Sequence, residues 1–316
     1  MDVVALGELL IDFATVGVDA EGYPTMAAHP GGAPANFLAA LTKFGCKTAL
    51  LGKVGTDTFG DLLLNTLQNA GIETKGMIRT DEVFTTLAFV TFDEGGDRKF
   101  AFARKPGADT QISFEELDLS LIDEAKVFHF GTLSLTHEPA RTATYKAVAY
   151  AKEKGKLITY DPNLRKPLWD SMEEAKKQLL WGLSQADVVK ISDEEVEFLF
   201  DMGVEEGAKH ILSTYGVKLV FVTCGAKGCF FQNAVAEGHV ESLTDIKVID
   251  TTGAGDIFGG SAVSQLLKYD VCPGELTEAQ LRQVVGFACT AAGLSTTKPG
   301  GISSVPELET VLERMG

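Results

Sequence analysis

The chain has 316 residues, 45% hydrophobic and 23% charged, the composition of an ordinary globular protein with room for one large α/β domain and a small appendage. A formal net charge of −16, with no long lysine or arginine cluster to offset it, argues against nucleic acid as a partner; any anionic ligand must be met locally by backbone amides, a few cations and a bound metal. The first residues carry no basic, apolar leader, and no run of about eighteen apolar residues appears, so a cytoplasmic protein without a membrane partner is expected.

In chain order, short β-rich apolar runs alternate with helical patterns. Strands are expected at 3–6, 49–54, 126–130, 157–160, 188–191 and 219–223, and helices at 35–44, 59–70, 140–152 and 257–267. Such alternation predicts a mainly parallel sheet covered on both faces, with ligands collecting beyond the carboxyl ends of its strands. One region breaks the rhythm. Residues 84–92 and 99–103 alternate at period two around Glu94-Gly95-Gly96-Asp97, a hairpin signal. With 13–30 they are expected to form a small sheet inserted in a single 1–316 domain, acting as a lid that keeps water from the reaction. The cysteines Cys46, Cys224, Cys229, Cys272 and Cys289 lack paired metal spacings and are expected to be buried free thiols.

No G-x-x-x-x-G-K-[ST] run is present, and Gly7-Glu8-Leu9-Leu10-Ile11-Asp12 after the first strand is not G-x-G-x-x-G, so neither a P-loop nor a dinucleotide fingerprint supplies the phosphate site. That leaves Thr251-Thr252-Gly253-Ala254-Gly255-Asp256. Two glycines let the backbone bend and present its N–H groups to an anion, and the following apolar helix adds the favourable end of its dipole. A carboxylate there suits a base that takes a proton from a hydroxyl attacking a phosphoryl group; a tight turn with a helix cap is the alternative. Pro30-Gly31-Gly32-Ala33-Pro34-Ala35-Asn36 also runs into a helix, either as a plain turn or as a close backbone approach by a small polar ligand, with Asn36 offering donor and acceptor. Asp12 suits a pair of sugar hydroxyls, or is simply a loop carboxylate.

Together, Gly31-Gly32-Ala33-Pro34-Ala35-Asn36 and Asp250-Thr251-Thr252-Gly253-Ala254-Gly255-Asp256 resemble the two signatures of the ribokinase-like carbohydrate kinases, and the likeness runs from Leu6 to Pro306. Within that family the chain most resembles the fructokinases of bacteria and plants, through residues 100–109, 129–135 and 160–169. The resemblance implies a three-layer α/β sandwich with a β-sheet lid. It also implies ATP-dependent phosphorylation of a sugar, foremost D-fructose to D-fructose 6-phosphate, with Mg2+ and a possible K+ requirement. Asp256 matches the catalytic base and Gly253, Ala254 and Gly255 the anion hole, with Arg165 near the phosphates or the substrate. Asp12, Gly31, Gly32 and Asn36 match the sugar site, and Phe102 and Arg104 match lid residues that reach toward the substrate. Lys190, Ser192, Thr223, Gly225 and Gly228 match nucleotide contacts.

Glu195 matches an outer-sphere magnesium contact, although Ser192 replaces the family's usual asparagine. Asp250, Thr252, Ser295, Gly300 and Ser304 match the monovalent-cation loops. Cys289 departs from the asparagine that ribokinases often carry, which puts adenine contacts from its helix in question. Other readings are a kinase of 2-keto-3-deoxygluconate or ribose, a keto acid needing Arg104 or Arg165 at its carboxylate, and a sugar-binding regulator without catalysis. The small sheet's open edges suggest a homodimer through the lid.

Overall fold

The computed structural model describes residues 1–92 and 98–315; the expected turn at residues 94–97 lies outside them. The strands are β1 (Val3–Leu6), β2 (Leu10–Val18), β3 (Pro24–Gly31), β4 (Thr48–Gly55), β5 (Met77–Thr80), β6 (Leu87–Phe92), β7 (Arg98–Ala103), β8 (Val127–Gly131), β9 (Leu157–Asp161), β10 (Val188–Ser192), β11 (Leu219–Thr223), β12 (Cys229–Asn233) and β13 (Glu237–Val240). The helices are α1 (Ala33–Lys43), α2 (Thr58–Asn69), α3 (Leu119–Glu124), α4 (Ala140–Glu153), α5 (Met172–Gln185), α6 (Asp193–Phe200), α7 (Val204–Tyr215), α8 (Ala254–Leu266), α9 (Glu278–Ser295) and α10 (Leu308–Met315).

Among the described residues the main sheet has nine strands in the order β13-β12-β11-β10-β9-β8-β1-β4-β5, parallel throughout except at β12 and β13. Because side chains alternate along a strand, Val4 and Leu6 enter the core on one face with Phe128 and Phe130, while Val3 and Ala5 enter the other with Leu38 and Leu41 of α1. This is the three-layer α/β arrangement that the resemblance implies. Strand order reverses between β8 and β1, where a crevice opens in such sheets. α1 lies over that point: Phe37 stacks on His129 of β8 with ring centroids 3.8 Å apart.

The second sheet has the order β3-β2-β6-β7. It begins at Leu10 rather than at residue 13, so Asp12 belongs to it instead of to a loop after β1. Phe13 stacks on Phe89 at 5.2 Å and meets Phe59 of α2 edge-on at 5.5 Å, which seats one face of the small sheet on the main body. The opposite face carries Asp12. Asp12 pairs with His29 and Ala88, and Ala88 with Phe102, so these four form one cross-strand row on a shared face.

The cysteines are free, as expected, but only Cys229 and Cys289 are buried; Cys272 is exposed and Cys46 and Cys224 are half-buried. Thiol burial follows the element each residue falls on, and Cys272 falls in a surface connection before α9. No helix among the described residues is long and apolar enough to cross a membrane.

α8 starts three residues earlier than the sequence pattern suggests, which draws Ala254, Gly255 and Asp256 into its first turn. It packs on α1 through small residues. A Cβ at Gly260 would stand 2.2 Å from the Phe37 carbonyl oxygen and 2.9 Å from Ala40 Cβ. The contact is backbone against backbone, so it has little room to yield. Gly260→Ala is therefore expected to destabilise the protein by about 1–3 kcal/mol, read from the midpoint of urea unfolding.

Candidate active site

The two glycine segments meet at the N-termini of α1 and α8. Gly32 caps α1 at φ 120°, and a Cβ there would fall 2.5 Å from the Glu8 carbonyl oxygen, so only glycine lets the turn lie against residues 8–9. Gly253 caps α8 in the left-handed region at φ 75°, and its Cβ position is 3.1 Å from Asn36 Nδ2. Asn36 Nδ2 then donates to Asp256 Oδ2 at 2.9 Å. The amides of Gly255 and Asp256, in the first helical turn, have no helical acceptor and face outward. The expected anion hole, proposed base and one sugar-site residue are thus side by side.

Asp256 is 8% exposed, and its carboxyl is pushed up to about 6, first by burial and then by the nearby Asp161 carboxylate; Lys190, the Asn36 bond and Arg165 pull the other way. Asp12 is likewise pushed up to about 6, mainly by burial, with Arg165 opposing and Asp256 and Asp250 adding to the rise. Its carboxylate rests against Gly31, whose Cβ position lies 2.7 Å from Asp12 Oδ2. Arg165 is exposed on the loop after β9 and, among the described residues, has no ion-pair partner. Its charge lowers the pKa of both Asp12 and Asp256, so it lies within electrostatic reach of the two carboxyls.

Behind Asp256 opens a cavity of about 630 Å³, bounded by Arg165, Lys190, Ser192, Glu195, Thr223, Gly225, Gly228 and residues 253–256. The positions expected for nucleotide contact therefore line one space that ends at the α8 amides. Gly225 and Gly228, at φ 54° and 95°, fold the turn after β11 back so that Cys224 N–H reaches the Gly228 carbonyl at 2.8 Å. The buried Cys289 lies on the cavity wall from α9. The residues expected at the sugar, Asp12, Gly31, Gly32, Asn36 and Phe102, are not among those lining this cavity: Asp12, Gly31 and Phe102 belong to the small sheet, Gly32 leads from it into α1, and Asn36 reaches Asp256 from α1.

Lys190 plays a part beyond the wall of the cavity. Its Nζ bonds Asp161 Oδ2 at 2.9 Å and lies 2.9 Å from the Cβ position of Gly255, directly beneath the amide turn. Burial works against its charge, but Asp161, Glu195 and Asp256 outweigh it and raise its pKa. Asp161, which ends β9, follows directly on an expected strand, but the sequence alone gives it no role. Its pairing with Lys190 depends on β9 and β10 being neighbours, and no motif records that.

Two expected roles look different in three dimensions. Arg104 does not reach outward from the lid: it is 2% exposed, bonds Asp109 Oδ2 through Nε at 2.9 Å and Nη2 at 2.7 Å, and donates further to Thr136 Oγ1 and the Leu133 carbonyl. Glu195 takes N–H groups on both carboxylate oxygens, from Ser192 at 2.9 Å and Leu164 at 2.7 Å, while Ser192 Oγ accepts Glu195 N–H at 3.2 Å. That is a capping box on α6, legible as Ser192-x-x-Glu195. Asp250 braces two loops, accepting from Thr252 N–H at 3.0 Å, Thr252 Oγ1 at 2.7 Å and Gly300 N–H at 3.0 Å. Ser295 and Ser304 hydroxyls donate to the carbonyls of Ala292 and Gly301 within their own turns. Among the described residues no group of three or more His, Cys, Asp or Glu converges as a metal cluster.

An amide-bearing helix N-terminus with a buried carboxylate, opening on a cavity, is an arrangement suited to phosphoryl transfer to an alcohol. Residues 1–308 match the pfkB family of carbohydrate kinases. The chain is 42% identical to fructokinase-2 of Solanum lycopersicum over 307 residues, 96% of this chain and 93% of that one. Among solved structures it superposes on the fructokinase of Xylella fastidiosa with bound ATP at a TM-score of 0.90, with 29% identity over 98% of this chain and 97% of that one. It also superposes on the fructokinase of Vibrio cholerae O395 with fructose, ADP and calcium ion at a TM-score of 0.88, with 30% identity over 100% and 99% of the two chains. The chain belongs to the pfkB family of carbohydrate kinases and is a sugar phosphotransferase.

The raised carboxyls have a consequence for stability. A carboxyl whose pKa is higher folded than unfolded favours the folded state below its unfolded value, and that advantage is lost as pH rises toward the folded value. For Asp256 the window runs from 3.8 to about 6. Asp256→Asn is therefore expected to raise the melting temperature at pH 8, by a stabilisation on the order of 1–3 kcal/mol, and to change it little at pH 4. Thermal unfolding at the two pH values checks this.

Proposed function

We propose that the chain transfers the γ-phosphoryl group of ATP to the 6-hydroxyl of D-fructose, with Asp256 as general base. The observation that carries this reading is the buried Asp256 carboxylate, held by Asn36 at 2.9 Å between the cavity and the small sheet's polar row. A carboxyl pushed up to about 6 is a base of useful strength near neutral pH. The tomato relative's name, the ATP of the Xylella structure and the fructose and ADP of the Vibrio structure support the same substrates for this chain.

In the proposed mechanism ATP lies in the cavity with its phosphates toward residues 253–256. Asp12, Asn36 and the backbone of Gly31 and Gly32 hold the sugar, with Phe102 on the same face of the lid. Asp256 takes the proton of the 6-hydroxyl as the new O–P bond forms, the γ-phosphorus bond to the β-bridging oxygen breaks, and ADP leaves. The amides of Gly255 and Asp256, with Lys190 beneath and Arg165 above, meet the charge that develops on the transferred group. Mg2+, held near Glu195, would supply positive charge against the nucleotide phosphates. Because both Glu195 oxygens already accept amides, that carboxylate would act through the ion's waters, as the sequence suggests. The carbonyl-rich turns around Asp250, Thr252, Ser295, Gly300 and Ser304 are the proposed seat of a K+ ion. Exposed Val16 and Val18 on β2 and Tyr23 in the turn before β3 are the proposed contact between two copies of the chain.

Turnover of ATP across fructose, tagatose, ribose and 2-keto-3-deoxygluconate tests the substrate: fructose is expected to give the highest kcat/KM, and a preference for the keto acid would instead assign Arg165 to a carboxylate. Asp256→Asn is expected to lower kcat by several orders of magnitude with both KM values nearly kept; retention of more than about a tenth of turnover removes it from the mechanism. Asp12→Ala is expected to raise the sugar KM strongly while ATP parameters stay put.

A further inference from the structure

The chain passes between the two sheets at four places: residues 7–9 lead from β1 into β2, residue 32 leads from β3 into α1, residues 81–86 lead into β6, and residues 104–107 lead out of β7. Buried polar groups that the proposed chemistry does not use are concentrated at these crossings. Glu8 is 3% exposed, and its Oε1 accepts the Ala33 N–H at 2.9 Å. Ile11 N–H donates to the Thr86 carbonyl at 3.2 Å, and the Thr86 hydroxyl donates to Asp109 Oδ1 at 2.5 Å. The other Asp109 oxygen takes the paired N–H groups of Arg104, which also bonds the loop after β8 at Leu133 and Thr136. Burial pushes the Glu8 carboxyl up to about 7, and Asp109 and Arg104 act on it with opposite sign, so the three lie within electrostatic reach of one another.

We infer that Glu8, Arg104 and Asp109 are positioning residues that tie down the crossings of the small sheet, Glu8 at the start of α1 and Asp109 with Arg104 between β6, β7 and the loop after β8, and thereby set the separation of Asp12 from Asp256. Each link lies next to a site residue. Ile11 precedes Asp12 on β2. Glu8 holds the first amide of α1, one residue beyond Gly32 and three before Asn36, whose side chain holds Asp256. Asp109 joins the residue before β6 to the residue after β7, and Phe102 lies two positions inside that point. Burying three ionisable groups is costly unless their partners are well made, and Arg104 Nε and Nη2 converging on one Asp109 oxygen, with the Thr86 hydroxyl on the other, fix direction as well as distance. Arg104 is therefore a hinge anchor and not a ligand of the sugar.

The test uses the full chain and the kinase reaction proposed above, with an exchange measurement that does not depend on that reaction. Arg104→Lys and Asp109→Asn are expected to raise the fructose KM about tenfold or more, because small displacements of a binding group are costly, and to leave the ATP KM within about twofold. Glu8→Leu is expected to behave alike, while Glu8→Gln, which keeps an acceptor for Ala33 N–H, stays near wild type. A role confined to stability would lower the melting temperature and the active fraction without moving KM, since KM does not depend on how many molecules are folded.

Amide hydrogen exchange without substrate is expected to quicken in β2, β3 and β6 and not in β8 to β11. Thr86→Val removes one hydroxyl bond and serves if the charge variants do not fold. Unchanged fructose KM with unchanged exchange in the small sheet overturns the inference, as do ATP and fructose KM values rising in step. Wild-type protein that turns over no sugar would count against the kinase reading, and the exchange data would still decide the hinge.

Discussion

The side-by-side packing of α1 and α8 is the constraint on which the rest of the site depends. Two helices that enter the fold some two hundred residues apart present their N-termini to the same point, and the hydrogen bond from Asn36 to Asp256 joins them there. That approach is possible because α8 shows Gly259 and Gly260 to α1 where other residues would carry side chains. One helix end supplies part of the proposed sugar site and the other the proposed amides for a phosphate, so in that reading helix packing brings acceptor and donor together. Isolated, Asp256 at a helix N-terminus would be a comfortable anion. Buried beside Asp161, it holds its proton more tightly, which is what a base requires.

Much of this was legible in the sequence because glycine at a close approach has few substitutes. Gly31-Gly32 and Gly253-x-Gly255 announce places where backbone must touch something, and the helical patterns behind them give the direction of the amides. The parallel sheet followed from alternation, and the small sheet from its change of period. Boundaries were less clear. Asp12 looked like the end of a loop because the chain turns from β1 into β2 within three residues, too short a link to register as a connection.

Side-chain partners across the fold were the illegible part. Arg104 and Asp109 are five residues apart, yet nothing in the spacing says that the guanidinium turns inward to meet its neighbour beneath the small sheet. Lys190 and Asp161 pair across adjacent parallel strands, which requires knowing the strand order. Glu195 is different, since Ser192-x-x-Glu195 is a capping signature that could have been read directly. A carboxylate near a phosphate site invites a metal assignment, and here two amides have the stronger geometric claim on it.

The cross-strand row of His29, Asp12, Ala88 and Phe102 is carried wholly by the small sheet, whereas the amide turn, Lys190 and the cavity belong to the large one. Each strand of that sheet contributes one position to the row, so the proposed sugar recognition is spread over four separate segments of the chain. In the proposed mechanism acceptor choice and phosphoryl transfer therefore sit on different sheets, so exchanges in the row would alter which sugar is held and leave the residues of the transfer step in place.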